Sequence, residues 1–246
     1  MCQNSVPPVK TEHGSGGTAG KAKILYTEAR LVQESKPQIQ ILTYCMEGIT
    51  QNKTTGDWNP AEVRMSFFRK PISNKRPESK PVSLFWVYQY VRGRWAMPET
   101  EQLRKIADKD EARHFKGSNF DYITPSGLFS YCSDQCLMKH SGLITMDLDE
   151  LNERTEEMFE KLIDDPVFDT LLLFRSPRGN GLKWFIHIDL SRCDHRTWFT
   201  AVRNYLMATY QLTEKQVDAQ CINVSRACFL CHDENAYLKT ELIGYF

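Results

Sequence analysis

The alternation of apolar and polar positions in the second half of the chain predicts a regular series of strands and helices. Short apolar runs bounded by turn residues indicate strands, and apolar residues four positions apart indicate amphipathic helices. The predicted elements are, in chain order, a strand at 142–147, a helix at 152–163, strands at 169–175 and 182–190, a helix at 195–210 and a strand at 222–230. The order β-α-β-β-α-β is a known supersecondary unit, so we predict an α+β fold.

This topology predicts that distant polar residues meet at one edge of the sheet. The first strand should lie between the third and the fourth and run antiparallel to both. Asp147 and Asp149 lie at the C-terminal end of the first strand, Lys183 lies at the start of the third, and Asp218 precedes the fourth. We therefore expect these four side chains to converge.

Two carboxylates one residue apart end the first predicted strand. Residues i and i+2 of a strand share a face, so Asp147 and Asp149 should stand side by side while Met146 and Leu148 point the other way. Neighbouring like charges repel unless something neutralises them, and hard divalent cations bind carboxylate oxygens. With Asp218 as a third carboxylate, the pattern fits one or two Mg²⁺ or Mn²⁺ ions. The alternatives are a solvated strand end and, for Asp218, an ordinary surface loop.

The turn at 176–183, Ser-Pro-Arg-Gly-Asn-Gly-Leu-Lys, has two interpretations. Its spacing is not that of a Walker A loop. Gly179 and Gly181 would let backbone N–H groups approach an anion, and Arg178 and Lys183 would supply positive charge. The alternative is a plain hairpin turn with exposed basic residues.

Two further groups of residues leave alternatives open. Arg226 could reach a triphosphate or pair structurally with Asp147 or Asp149. Zinc is conceivable at two cysteine–histidine clusters, although neither has the spacing of a standard zinc finger, and buried thiols are the favoured alternative. These clusters are Cys132, Cys136 and His140, and Cys228, Cys231 and His232.

Composition divides the chain into three predicted regions. Residues 1–21 are rich in Gly, Ser, Thr and Pro, which predicts a disordered tail. Residues 22–81 predict an N-terminal α/β extension to which no role can be assigned, and residues 82–246 predict the main domain. Within that domain, Pro98 should open a helix over 99–115.

Charge and hydropathy exclude some classes of partner. Lys and Arg total 31 and Asp and Glu total 31, so bulk charge does not indicate a nucleic-acid partner, although a basic run at 64–80 could contact an anionic polymer locally. No apolar run approaches a membrane span, and the N-terminus lacks a signal-peptide core. We therefore expect a cytoplasmic protein with no membrane partner.

Four blocks of sequence between about residues 82 and 237 resemble a known family. The chain is similar to the N-terminal domain of bacterial mobile-element proteins labelled VirE-like, in the archaeo-eukaryotic primase (PrimPol-type) superfamily. The matching blocks are Ile-Thr-Pro-Ser-Gly-Leu-Phe at 123–129, His-Ser-Gly-Leu-Ile-Thr-Met-Asp-Leu-Asp at 140–149, Ser-Pro-Arg-Gly-Asn-Gly-Leu-Lys at 176–183 and Asp-Ala-Gln-Cys-Ile-Asn-Val-Ser-Arg at 218–226.

The resemblance implies an RRM-like primase palm that transfers nucleotides with a divalent metal during DNA replication. The catalytic, metal-binding residues implied by position are Asp147, Asp149 and Asp218. The nucleotide-binding residues would be Ser176, Arg178, Gly179, Gly181, Lys183 and Arg226. Nucleoside triphosphates and a single-stranded nucleic acid template would be the partners.

The chain departs from this family pattern in two residues and at its end. The superfamily usually has His where Lys183 stands, and related domains tend to have Asp where Asn223 stands. Such domains are commonly followed by a helicase-like ATPase, and this chain has none before Phe246, so we expect either a fragment of a longer protein or a separate helicase as partner. The alternative function is a non-catalytic module of the same fold that binds single-stranded DNA or nucleotide, and a weaker one is a metal-dependent nuclease.

Overall fold

A computed structural model describes residues 58–245, whose elements are numbered here in chain order. Five α-helices are described: α1 Leu84–Arg92, α2 Met97–Lys105, α3 Lys109–Asn119, α4 Thr155–Ile163 and α5 His195–Tyr210. The strands are β1 Ser66–Phe68, β2 Tyr122–Thr124, β3 Gly127–Phe129, β4 Leu137–His140, β5 Leu143–Leu148, β6 Thr170–Arg175, β7 Leu182–His187, β8 Cys228–Phe229 and β9 Tyr237–Leu238. The tail predicted at 1–21 and the residues 22–57 of the predicted extension lie outside the described residues.

The main sheet contains four antiparallel strands in the order β5-β7-β6-β9. Its first three strands match the predicted strands at 142–147, 169–175 and 182–190. The turn between β6 and β7 sets their register, and β5 pairs with β7 from Leu143 opposite His187 to Leu148 opposite Leu182. This register puts Asp147 directly opposite Lys183. The α+β prediction is confirmed.

Helices α4 and α5 form where the apolar spacing predicted them. The side chain of Asp194 accepts a hydrogen bond from the N–H of Thr197, which caps the first turn of α5. A short 3-10 turn, Asn152–Arg154, leads directly into α4. Buried Met158 and Leu162 of α4 pack in the same core as Trp198 and other apolar residues of α5.

The predicted strand at 222–230 is wrong for most of its length. A 3-10 helix, Ala219–Ile222, capped by the Asp218 side chain, precedes it, and the N–H of Arg226 donates to the carbonyl oxygen of Asn223 at 2.9 Å, so residues 223–226 form a turn. Only β8 is extended, and it pairs with β2 in a separate three-stranded sheet. The first strand therefore lies at the edge of the main sheet, where a single bridge from Leu148 to Val217 takes the place of a fourth strand.

The helix predicted at 99–115 is two helices, α2 and α3. Ile106 is extended, and Asp108 starts a new helix because its side chain accepts from the N–H groups of Asp110 and Glu111. Upstream, Ser66–Phe68 of the predicted extension pairs with Tyr122–Thr124, so these residues share a sheet with the predicted main domain.

The main sheet separates two apolar cores. On one face, Met146 and Trp184 pack with α4 and α5. On the other, Leu143 and Phe185 pack with residues of α1 and α2, including Val87. Because successive strand residues alternate between faces, Asp147 lies on the face that α1 and α2 cover. Between residues 58 and 245, no helix is both long enough and apolar enough to cross a membrane.

Candidate functional site

The segment 216–218 brings the three predicted carboxylates together. The N–H of Asp149 donates to the carbonyl oxygen of Gln216 at 2.9 Å, and the N–H of Asp218 donates to the carbonyl oxygen of Asp147 at 3.0 Å. These bonds hold the segment alongside the end of β5. The predicted convergence of Asp147, Asp149, Asp218 and Lys183 is therefore present in the structure.

Two of the carboxylates have cationic partners. Nζ of Lys183 contacts Oδ2 of Asp147, and both side chains are buried. Nη2 of Arg226 donates to Oδ2 of Asp218 at 2.5 Å. Burial by itself would lower the pKa of Lys183, but the neighbouring Asp147 carboxylate outweighs it and raises that pKa above its ordinary value. The ion pair with Asp147 therefore favours the positively charged form of Lys183 inside the site.

The third carboxylate, Asp149, has no salt bridge to any residue between 58 and 245. Burial and then the negative charge of Asp147 raise the pKa of its carboxyl group, although Lys183 and Lys116 partly oppose the shift. A cation bound beside Asp149 would therefore relieve an existing repulsion.

The thiol of Cys221 was missed by sequence reasoning. Ligand atoms of Asp147, Asp218 and Cys221 all lie within 4.8 Å of one another. Burial, followed by the charge of Asp147, raises the pKa of the thiol. The sequence feature that could have indicated Cys221 is its spacing from Asp218. Cys221 follows Asp218 by three residues, and side chains at i and i+3 of a 3-10 helix lie on the same side.

Lys116 was also missed, because a lysine near the end of a helix resembles an ordinary solvated residue. Its half-buried ammonium group lies 5.3 Å from the ring centroid of Phe229. Burial lowers its pKa, and the charges of Lys183 and Arg226 lower it further, whereas Asp147 and Asp149 raise it. Lys116 thus adds a positive charge that acts on Asp147 and Asp149.

Several residues of the site line a cleft in which buried polar atoms lack hydrogen-bond partners within the described part of the chain. Asp147, Lys183, Cys221 and Arg226 form part of its wall, together with Thr145. Oδ1 of Asp147, Oγ1 of Thr145 and Nε of Arg226 are buried, and none has a hydrogen-bond partner within the described part of the chain. Buried polar atoms without partners are rare in folded proteins and mark places where an ion, water or ligand binds.

The turn at 176–181 lies next to the end of β5 but does not line this cleft. Ser176 donates its N–H to the carbonyl oxygen of Gly181, and Gly179 donates to Ser176, both at 2.8 Å, so these two N–H groups are used within the turn. Gly179 has φ +81° and lies against the guanidinium group of Arg104. A Cβ on Gly181 would lie 2.1 Å from the carbonyl oxygen of Leu148.

The positive φ at Gly179 and the close backbone approach at Gly181 therefore each favour glycine without any bound ligand. Arg178 is partly exposed at the same turn. Nucleotide binding by Ser176, Arg178, Gly179 and Gly181 stays a prediction, whereas Lys183 and Arg226 do line the cleft.

The two cysteine–histidine clusters considered for zinc do not form within the described residues. Between residues 58 and 245, the group with metal-ligand proximity is Asp147, Asp218 and Cys221. Two residues of the second cluster, Cys231 and His232, instead contact backbone carbonyl oxygens. Sγ of Cys231 donates to the carbonyl oxygen of Arg175 at 3.2 Å, and Nδ1 of His232 lies 2.8 Å from the carbonyl oxygen of Gly93.

Comparison with protein families finds one match to this fold. Residues 115–238, half of the chain, match the family model described as BT4734-like, N-terminal domain. The chain belongs to this family. The BT4734-like region begins within α3 and ends at β9, so it includes the main sheet, Lys116 and every residue that lines the cleft. Comparison with curated proteins and with solved structures gives no match.

Proposed function

We propose that this domain is a primase–polymerase-type nucleotidyltransferase that uses nucleoside triphosphates and a divalent metal, in the replication of a mobile element. The observation that carries the proposal is a cleft lined by Asp147, Lys183 and Arg226, with Asp218 paired to Arg226 and Asp149 held beside it through the segment 216–218. Grouped carboxylates suit a metal ion, and buried cations suit phosphate oxygens.

The donor atoms present fit a divalent cation. Asp147 and Asp218 offer carboxylate oxygens, and Oδ1 of Asp147 lacks a partner within the described residues. Mg²⁺ or Mn²⁺ would be held by Asp147 and Asp218, with Asp149 next to them. When bound, such an ion lowers the pKa of an attacking hydroxyl and stabilises the oxygens of a phosphoryl displacement.

The cationic side chains would orient the substrate. Lys183 and Arg226 lie where they can hold the triphosphate, and their charge would favour the negative charge that builds up on it in the transition state. Lys183 brings a fixed charge where the resembled superfamily has an imidazole, so it binds phosphate but cannot accept a proton at neutral pH.

An RRM-like palm is the fold we propose for this core. The first three strands of the unit lie in the order first, third, second, and α4 and α5 pack on one face of the sheet. The segment that includes Val217 runs beside the first strand, on the side where that topology has a fourth. The match of residues 115–238 spans the four blocks on which the VirE-like resemblance rests, together with the segment in place of the fourth strand.

The proposed macromolecular partner is a single-stranded template, in the cytoplasm. Within the basic run, Arg69 and Lys70 already pair with Asp121 and Glu99. Arg76 and Lys80 are exposed and would offer charge to a template backbone.

The second candidate is a non-catalytic module that binds nucleotide or single-stranded DNA. The observation that favours it is the neutralisation of Asp147 by Lys183 and of Asp218 by Arg226. These ion pairs reduce the attraction of the site for a free metal ion.

Nucleotide incorporation separates these functions. Primed and unprimed single-stranded templates are incubated with nucleoside triphosphates and Mn²⁺ or Mg²⁺, and wild type is compared with the double variant Asp147→Asn/Asp149→Asn. Asp110→Asn is the matched control, because that carboxylate is exposed on α3. We expect extension by wild type and by the control, and none by the double variant.

Other outcomes point elsewhere. Binding of nucleotide or DNA without extension by folded wild-type protein would replace the enzyme with the binding module. Strand cleavage in the absence of nucleotide would indicate a nuclease built on the same carboxylates.

A further inference from the structure

The charges in the cleft balance before any ligand is added. Two carboxylates, Asp147 and Asp218, are each paired with a cationic side chain, Lys183 and Arg226. A divalent cation alone would bind beside two positive charges, and a polyphosphate alone would bind beside two negative ones. Charges are poorly screened in a partly buried site, so these repulsions oppose the binding of either ligand by itself.

Two buried polar atoms of the cleft lack hydrogen-bond partners within residues 58–245. One of them suits a cationic ligand and the other suits an anionic ligand. Oδ1 of Asp147 is a carboxylate oxygen that suits a cation, and the side chain of Asp147 is nine-tenths buried. Nε of Arg226 is a guanidinium N–H donor that suits an anion. Neither a metal ion nor a phosphate alone would satisfy both atoms.

The existing ion pairs explain how the two ligands would depend on one another. Lys183 is held on Asp147, and Arg226 is held on Asp218 and on the side-chain oxygen of Gln220 at 2.6 Å. A cation that binds these carboxylates is repelled by Lys183 and Arg226 unless phosphate oxygens take up their charge. A phosphate that binds Lys183 and Arg226 draws these cations away from Asp147 and Asp218. The two carboxylates then lack counter-ions unless a metal ion binds to them.

We propose that Lys183 and Arg226 are built-in counter-ions that make the cleft bind a divalent cation and a polyphosphate together and neither of them well alone. This inference rests on the proposed function, because it takes the cleft as the place where metal and triphosphate bind. It adds a property that nucleotidyl transfer does not require, namely strong positive coupling between the two ligands.

Calorimetric titration of the whole chain measures this coupling without catalysis. Three titrants are compared. They are Mn²⁺ alone, inorganic triphosphate with a chelator that removes divalent metal, and the preformed 1:1 complex of Mn²⁺ and triphosphate. We expect the complex to bind at least about tenfold more tightly than either component. Equal affinity for Mn²⁺ alone and for the complex would overturn the coupling and leave the proposed function standing. Absence of binding by all three would overturn both.

Charge variants test the role of the counter-ions. Lys183→Met and Arg226→Gln should each tighten the binding of Mn²⁺ alone by about tenfold and weaken that of triphosphate, since one repulsive charge is removed. Lys183→Arg keeps the charge and should keep the coupling, and Lys105→Gln removes an exposed charge at the end of α2 as a control. Arg226 is partly exposed, so its variant remains informative if Lys183→Met fails to fold. Unchanged Mn²⁺ affinity in folded Arg226→Gln would overturn the proposal.

Discussion

Nε2 of His140 lies 3.2 Å from Nδ1 of His195, and this contact is the centre of a relay of hydrogen bonds with a defined direction. The N–H of Gly142 donates to Nδ1 of His140 at 3.0 Å, so the proton of a neutral His140 is on Nε2 and is donated to His195. His195 in turn donates from Nε2 to the carbonyl oxygen of Cys221 at 3.3 Å. The relay connects the start of β5 to the 3-10 helix that carries the thiol of the cleft.

The relay predicts a loss of stability in mild acid. Burial lowers the pKa of His140 to about 4, with a further contribution from His195, and burial also lowers the pKa of His195. Both are neutral in the folded state, whereas an unfolded histidine takes up a proton below about pH 6.5. Stability from this source is complete above about pH 6.5 and is lost as the pH falls towards 4.

Urea unfolding at pH 7.5 and pH 5 measures the effect. We expect a decrease of about 1 kcal/mol or more in the free energy of unfolding at the lower pH. His140→Gln should reduce that decrease, because glutamine does not titrate. An equal pH dependence in wild type and variant would show that the relay is not its source.

Gly181 is expected to be required for the stability of the fold, whether or not it also contributes to ligand binding. In Gly181→Ala the Cβ would lie 2.1 Å from the carbonyl oxygen of Leu148, so the turn and β5 would have to separate. We expect the free energy of unfolding to decrease by about 2–3 kcal/mol. Gly117→Ala is the matched control, because its Cβ meets only the Ile72 side chain at 3.2 Å within a helix, where alanine is favoured. Equal stability of Gly181→Ala and wild type in urea would contradict this account.

Cys221 is expected to shift the metal preference of the cleft towards softer ions. Thiolates favour Co²⁺ and Zn²⁺ over Mg²⁺, and the ligand atoms of Cys221, Asp147 and Asp218 lie within 4.8 Å of one another. With triphosphate present, Co²⁺ should give the near-ultraviolet charge-transfer absorption of a cobalt–thiolate bond. Cys221→Ser should abolish this band, and Cys136→Ser, which changes a half-exposed free thiol, should leave it intact. A band that survives in Cys221→Ser would exclude the thiol as a ligand.

Lys116 is expected to contribute to anion binding from outside the main sheet. Removing its charge in Lys116→Gln should weaken binding of the Mn²⁺–triphosphate complex by about tenfold, because a partly buried cation is lost from beside the carboxylates. Lys116→Arg should retain most of the affinity, and Lys105→Gln serves as the exposed control. Wild-type affinity in Lys116→Gln would place the lysine outside the binding site.

The sequence was most informative where a short-range pattern determines the geometry. The period of two along β5 puts Asp147 on the opposite face from Met146 and Leu148, and the turn signal at 176–181 correctly located the connection between β6 and β7, whose first residues include Lys183. The cap at Asp194 and the apolar spacing after it defined α5 to the residue.

The sequence was least informative where polar side chains compete with the strand pattern or where contacts are distant. Between residues 218 and 226, the Asp218 side chain and a bond from the N–H of Arg226 to the Asn223 carbonyl favour turns over the predicted strand. Lys116 approaches the cleft from a helix that precedes β5, and no local pattern relates the two. Residues 22–81 lacked an assignable role for the same reason, although Ser66–Phe68 within that range pairs with Tyr122–Thr124.

The alternation along β5 also constrains how the chain can misfold. A slip of one residue between β5 and β7 would turn Asp147 into the apolar layer beneath α4 and α5 and would leave Met146 facing the cations. A carboxylate in that layer would have no counter-ion and would be far more costly than any lost packing. The pairing of Asp147 with Lys183 therefore favours the native register of β5 against β7, whether or not a ligand is ever bound.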